Sequence, residues 1–121
     1  MSLSLLAIYL SAGGVLVTGW LAAIFVVNPA RGMVLVNHRT EDLPKVMADR
    51  YVAFMALAAG ATWYGDLAVI AYLFAVFAFM ALADAVIYLR VKQPFLPHLI
   101  AGIAAAGVAL VAFLAQTNGA A

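Results

Sequence analysis

The run from Leu67 to Leu89, LAVIAYLFAVFAFMALADAVIYL, leads directly into Arg90-Val91-Lys92-Gln93-Pro94. Only one charged residue, Asp84, interrupts it. As a helix rising about 1.5 Å per residue it would reach roughly 35 Å, enough for a hydrocarbon core about 30 Å thick. Two cations and a proline then close it. Lys and Arg gather where short loops leave the membrane on the cytoplasmic side. The stretch therefore reads as a membrane span entering from outside and ending in the cytoplasm.

Working outward, the other four basic residues, Arg31, Arg39, Lys45 and Arg50, fall in one earlier segment. That segment is bounded by two further apolar runs. Span one is expected over residues 3–27, closed by Asn28-Pro29, since proline stops a helix and disfavours the α conformation before it. Span two is expected over residues 44–64, with Pro44 in its first turn, where proline is tolerated. Span three covers 67–89. Span four covers 98–114, after the breaker Gln93-Pro94-Phe95-Leu96-Pro97, and is followed by a polar tail, Gln116 to Gly119. The loops after spans one and three, together with the first turns of span two, carry all six Lys and Arg residues. Four crossings put those loops on one side.

The fold expected is an all-α, four-transmembrane-helix bundle. Both termini lie on the extracytoplasmic side and the basic loops in the cytoplasm, as in a bacterial inner membrane. The one-sided charge opposes dual topology. The whole chain, 1–121, reads as a single integral membrane domain, with the first apolar run retained as a span rather than cleaved as a signal. Trp63 and Tyr64 fit an outer aromatic belt. Asp66 is expected to cap span three. The short apolar run Met33-Val34-Leu35-Val36 is expected at the interface or beneath the bundle.

Composition excludes several functions. Charged residues make up 9% of the chain and hydrophobic ones 69%, against about 25% charged in soluble domains. A net charge of +1 gives no basis for nucleic-acid binding. With no cysteine, thiol redox chemistry and Cys-based metal or haem attachment are excluded. His38 lies in a loop and no histidine sits mid-span, so haem held between helices is not expected. No metal or cofactor is expected. Small multidrug exporters use an acid in the first span, which is absent here, and small fluoride channels are dual-topology dimers.

Polar residues inside the spans are the candidates for chemistry. Arg50 lies more than one turn inside span two. Asp84 lies about 9 Å below Arg90 along span three. Tyr88 is one turn beyond Asp84 on the same face, and His98 opens span four on the same side. Ionisable groups in a span are costly unless paired or hydrated, and they usually face the bundle interior. An Arg50–Asp84 pair is expected, joined by Tyr88 and His98, with Phe54, Phe77 and Met80 lining the space above. These four residues could form the polar head of a ligand pocket, or a pair that only fixes helix register. Gly102 and Ala106 in span four, and Gly13, Gly14, Thr18 and Gly19 in span one, allow close helix approach, within the bundle or between copies.

The segments around Ala48-Asp49-Arg50-Tyr51 and Ala83-Asp84-Ala85-Val86-Ile87-Tyr88-Leu89-Arg90, with His98, resemble the small four-helix membrane proteins of unknown function related to DoxX. Asn28-Pro29, Arg50, Asp84 and His98 match that pattern. The chain departs from it at Asp49 and Tyr51, where the family often has glycine and an acid. The resemblance implies the four-helix fold and carries no settled activity.

Two functions are therefore expected as alternatives. One is an accessory protein packing with itself, as a homo-oligomer, or with a larger membrane complex. The other is a binder or enzyme for a lipid-like or quinone-like molecule. There Arg50 would meet an anionic or carbonyl group, and Asp84 or His98 would move protons.

Overall fold

The computed structural model describes residues 1–118. Gly119 of the expected polar tail lies outside the described residues. The described chain is helical with short connections and no strand. Cα packing divides it into two compact units, Met1–Asp49 and Arg50 onward.

In the first unit, α1 (Leu3–Val27) is capped by Ser2, whose Oγ accepts from the Leu5 N–H at 3.2 Å. Asn28 ends α1 and begins the next helix. Its N–H donates to the Ile24 carbonyl at 2.8 Å, and its side-chain oxygen accepts from the Arg31 N–H at 3.2 Å. The short helix α2 (Pro29–Leu35) follows without a gap. Pro29 therefore does more than stop α1. At the first helical position its missing N–H would have had no partner, and its fixed φ suits a helix. The Met33–Leu35 run is accordingly helical. Gly32 is buried where α2 turns back on the end of α1, and a Cβ there would lie 2.7 Å from the Phe25 ring. At a 3₁₀ turn (Thr40–Asp42), the preceding Arg39 reaches Asp42 at 3.2 Å and Glu41 at 3.9 Å. Exposed pairs of this kind contribute little to stability.

Helix α3 (Leu43–Tyr64) starts with Pro44 in its first turn, as expected. It ends at Gly65, whose φ of +75° is the left-handed conformation a helix stop favours. Asp66 then caps α4 (Leu67–Arg90), as expected, accepting from the N–H groups of Ala68 at 2.8 Å and Val69 at 3.1 Å. Helix α4 ends in a Schellman motif. Lys92 is left-handed at φ 57°, its N–H bonds the Leu89 carbonyl, and the Gln93 N–H bonds that of Tyr88.

Helix α5 (Leu96–Asn118) is longer than the 98–114 expected from the sequence. Pro97 sits inside its first turn and breaks nothing, because the N–H it lacks has no partner there. At the other end, Gln116, Thr117 and Asn118 are helical rather than a tail. The Thr117 hydroxyl donates back to the Phe113 carbonyl at 3.2 Å, satisfying itself within the helix.

Small residues form the contact between α4 and α5. Ala78 and Ala85 on α4, and Gly102 and Ala112 on α5, are buried. A Cβ on Gly102 would lie 2.6 Å from Leu82 Cδ2 and 3.2 Å from the Leu82 backbone nitrogen. Gly102 therefore serves packing within the chain, whereas Ala106 of the same small-residue pair is exposed. The large apolar side chains lie outside: Trp63, Phe79 and Ile103 are exposed, and the buried hydrophobics are alanines. A water-soluble chain buries its large apolar residues; lipid-facing helices instead pack through small ones.

Three helices, α1, α4 and α5, are long and apolar enough to cross a membrane. Helix α3 differs because Lys45, Asp49 and Arg50 occupy its first part. Its uncharged portion, from Tyr51 to Tyr64, is about 21 Å long, short of a full hydrocarbon core of about 30 Å.

Candidate functional site

The second unit contains a cavity of about 260 Å³. Helix α3 contributes Tyr51 and Phe54 to its wall. Phe77, Met80, Ala81 and Asp84 come from α4, and His98, Ala101 and Ala105 from α5. On α5 these positions recur at intervals of three and four, the period of one helix face. On α4, Phe77, Ala81 and Asp84 do the same.

Asp84 and His98 meet at the polar end. His98 Nδ1 lies 3.9 Å from Asp84 Oδ2, within ion-pair range but too long for a hydrogen bond. The His98 side chain is 30% exposed and that of Asp84 50%. Tyr88 stacks on the imidazole, with ring centroids 4.8 Å apart and planes 18° apart. The histidine is thus held from two sides by residues of α4. Its face is covered by Tyr88, one turn beyond Asp84, and one ring nitrogen is turned toward the carboxylate. The positions of Gln93 to Phe95 make this meeting possible, because the Schellman stop and the short connection bring the first turn of α5 back beside the last turns of α4.

The wall is aromatic. Phe54 and Phe77 lie 5.6 Å apart between ring centroids, so these side chains link α3 to α4. Tyr51 meets Phe54 edge-to-face at 5.9 Å, and Phe74 backs Phe77 at 5.5 Å. Contacts of this geometry fix ring orientation and add to apolar burial.

Of the four site residues expected from the sequence, the structure brings Asp84, Tyr88 and His98 together. Arg50 stands at an exposed position on α3 immediately before Tyr51. Phe54, Phe77 and Met80 line the cavity as expected. Tyr51 is a wall residue not expected from the sequence, although it stands three residues before Phe54 and so shares its face. The stacking of Tyr88 on His98 is not expected from the sequence either, because it depends on how the α4–α5 connection closes.

No family model, curated protein or solved structure matches the chain.

Proposed function

We propose that this chain is a four-span integral membrane protein that binds a small amphipathic molecule, lipid-like or quinone-like, in the cavity headed by Asp84 and His98. The observation that carries this reading is the meeting of a carboxylate and an imidazole at one end of an otherwise apolar, aromatic cavity. Ligand sites characteristically combine an apolar wall with a few convergent polar groups. Arg50, expected from the sequence to pair with Asp84, stands one residue before the wall residue Tyr51 and is not needed by this reading. The likeness to the DoxX-related proteins is proposed as one of fold.

The chain contains only two histidines, His38 and His98, so imidazole ¹⁵N labelling reads the site directly. Adding organic extract of the native membrane should move the His98 ring signals and leave those of His38 in place. Signals that stay fixed, or move equally at both residues, would remove the reading.

In the proposed arrangement α3 also crosses, with the basic segments 31–50 and 90–92 in the cytoplasm of a bacterium, the membrane being its inner one. The short apolar part of α3 is compensated if Lys45 and Arg50 extend their ammonium and guanidinium groups to the interface. The absence of cysteine makes the arrangement directly testable. Cysteines placed singly at Arg39 and Lys92 should be labelled by an impermeant maleimide only from the cytoplasmic side, and one at Trp63 only from outside. Labelling of Trp63→Cys and Arg39→Cys from the same side would show that α3 does not cross.

A second reading, packing against another membrane helix, is favoured by an open apolar groove of about 530 Å³ along the outer half of α4 and α5. Ala104 and Gly107 in its floor leave room for the backbone of a neighbour to approach closely.

A further inference from the structure

We propose that the ligand of this cavity is an organic cation: a quaternary or protonated amine carried on a flat or branched apolar group, with its charge seated between Asp84 and the aromatic wall. The inference rests on the ligand-site reading above and narrows it to one charge class.

The first argument is the sign of the charge. Asp84 is the one carboxylic acid lining the cavity, and neither lysine nor arginine lines it. An anionic head group would face this carboxylate at close range in a medium where charges are weakly screened, which raises its energy. A cation lowers it.

The second argument is the wall. Aromatic faces carry negative charge density, and a cation within about 6 Å of a ring centroid is attracted to it, more strongly when water is excluded. Phe54 and Phe77, 5.6 Å apart and tilted by 57°, present two such surfaces at different angles. Tyr51 adds a third ring at the edge. A carboxylate with several rings around one space is the arrangement by which quaternary ammonium groups are recognised.

The third argument is size. At about 260 Å³ the cavity is slightly below the roughly 300 Å³ at which drug-sized sites begin. It encloses a head and one ring; a longer apolar tail would continue along the helices into lipid. An ionisable residue in a span is costly; His98, 3.9 Å away, recovers little of that cost, and a bound cation would come closer.

The test is calorimetric titration of the full-length protein in nanodiscs of zwitterionic lipid, which add no surface charge of their own. Three probes share a benzene ring and differ in charge: phenyltrimethylammonium, benzyl alcohol and benzenesulfonate. Phenyltrimethylammonium should bind and benzenesulfonate should not. Asp84→Asn should weaken binding of the cation by at least about tenfold, and Phe54→Leu, which keeps an apolar side chain without the ring face, by about threefold to tenfold. Circular dichroism of each variant confirms that the helices persist. If benzyl alcohol or benzenesulfonate binds as well as the cation, and Phe54→Leu weakens that binding, the charge assignment is overturned while the ligand site stands. If no probe binds to the folded wild-type protein, both are overturned.

Discussion

Replacing Gly102 by valine should separate α4 from α5 and cost the protein a large part of its stability. The position has no room. The first added carbon would lie 2.6 Å from Leu82 Cδ2 and 2.7 Å from its Cγ, both of which a rotamer change could relieve. It would also lie 3.2 Å from the Leu82 backbone nitrogen, which moves only if the helix moves. Valine adds two methyl groups to that conflict and is stiff at χ1 in a helix. Overpacking in a well-packed core costs typically 1–3 kcal/mol, and a contact built on backbone proximity falls at or above the upper end. The same substitution at Ala106, which is exposed, should cost little. Thermal melts of the two variants in one detergent make the comparison. A Gly102→Val protein that melts with the wild type would show that α4 and α5 do not pack through this glycine. The effect reaches the site as well, because separating the helices takes His98 away from Asp84 and Tyr88, and ligand binding should fall with stability.

Much of this fold can be read from the sequence because a bilayer leaves so few choices. Backbone polar groups in lipid must be satisfied within the helix, so long apolar runs fix where helices lie, and Asn28, Gly65-Asp66 and Pro94 fix where they end. Two of the differences lie at proline. Pro29 and Pro97 read as breaks in the sequence, yet proline is equally suited to a first helical turn, and only the neighbouring cap shows which role it takes. At Asn28 that cap is a side-chain oxygen on the Arg31 N–H; before Pro97 it is the Phe95 carbonyl accepting from Leu99. The status of α3 is less legible for another reason. Lys45, Asp49 and Arg50 count against insertion by composition, whereas the depth at which their head groups rest depends on side-chain reach, which composition does not encode.

Legibility of the site divides in a similar way. Asp84 stood out because a charge in an apolar run is costly, and Tyr88 followed from helical spacing. His98 falls beside the same end of α4 as Tyr88 by counting residues. Its contact with Asp84 and its stacking on Tyr88 depend on the turn from Val91 to Phe95, whose left-handed residue is a lysine rather than the usual glycine. No periodicity signals such a turn. Tyr51 stands three residues before Phe54 and shares its helix face, so its place on the wall follows only once the face of Phe54 is known.

The second large effect is expected at Asp84, and it separates a residue kept for a ligand from one kept for the fold. Asp84 lies on a helix apolar enough to cross a membrane. By insertion scales an aspartate near the centre of a span costs about 2.5–3.5 kcal/mol, and less toward the ends, whereas a leucine gains a few tenths. Its partner within the protein, His98, is 3.9 Å away and only partly buried, so the contact recovers little of that cost. Leucine at position 84 should therefore leave the protein at least as stable as the wild type while removing the charge that the ligand meets. Residues that stability would not select are expected where function requires them.

Native mass spectrometry of the wild type and Asp84→Leu, extracted gently from the same membrane and paired with their thermal melts, tests this directly. The wild type should carry one bound small molecule per chain. Asp84→Leu should carry none and melt at the same temperature or higher. A wild-type chain that carries nothing, or an Asp84→Leu protein that keeps the molecule or melts clearly lower, would contradict the assignment of Asp84 to a ligand site.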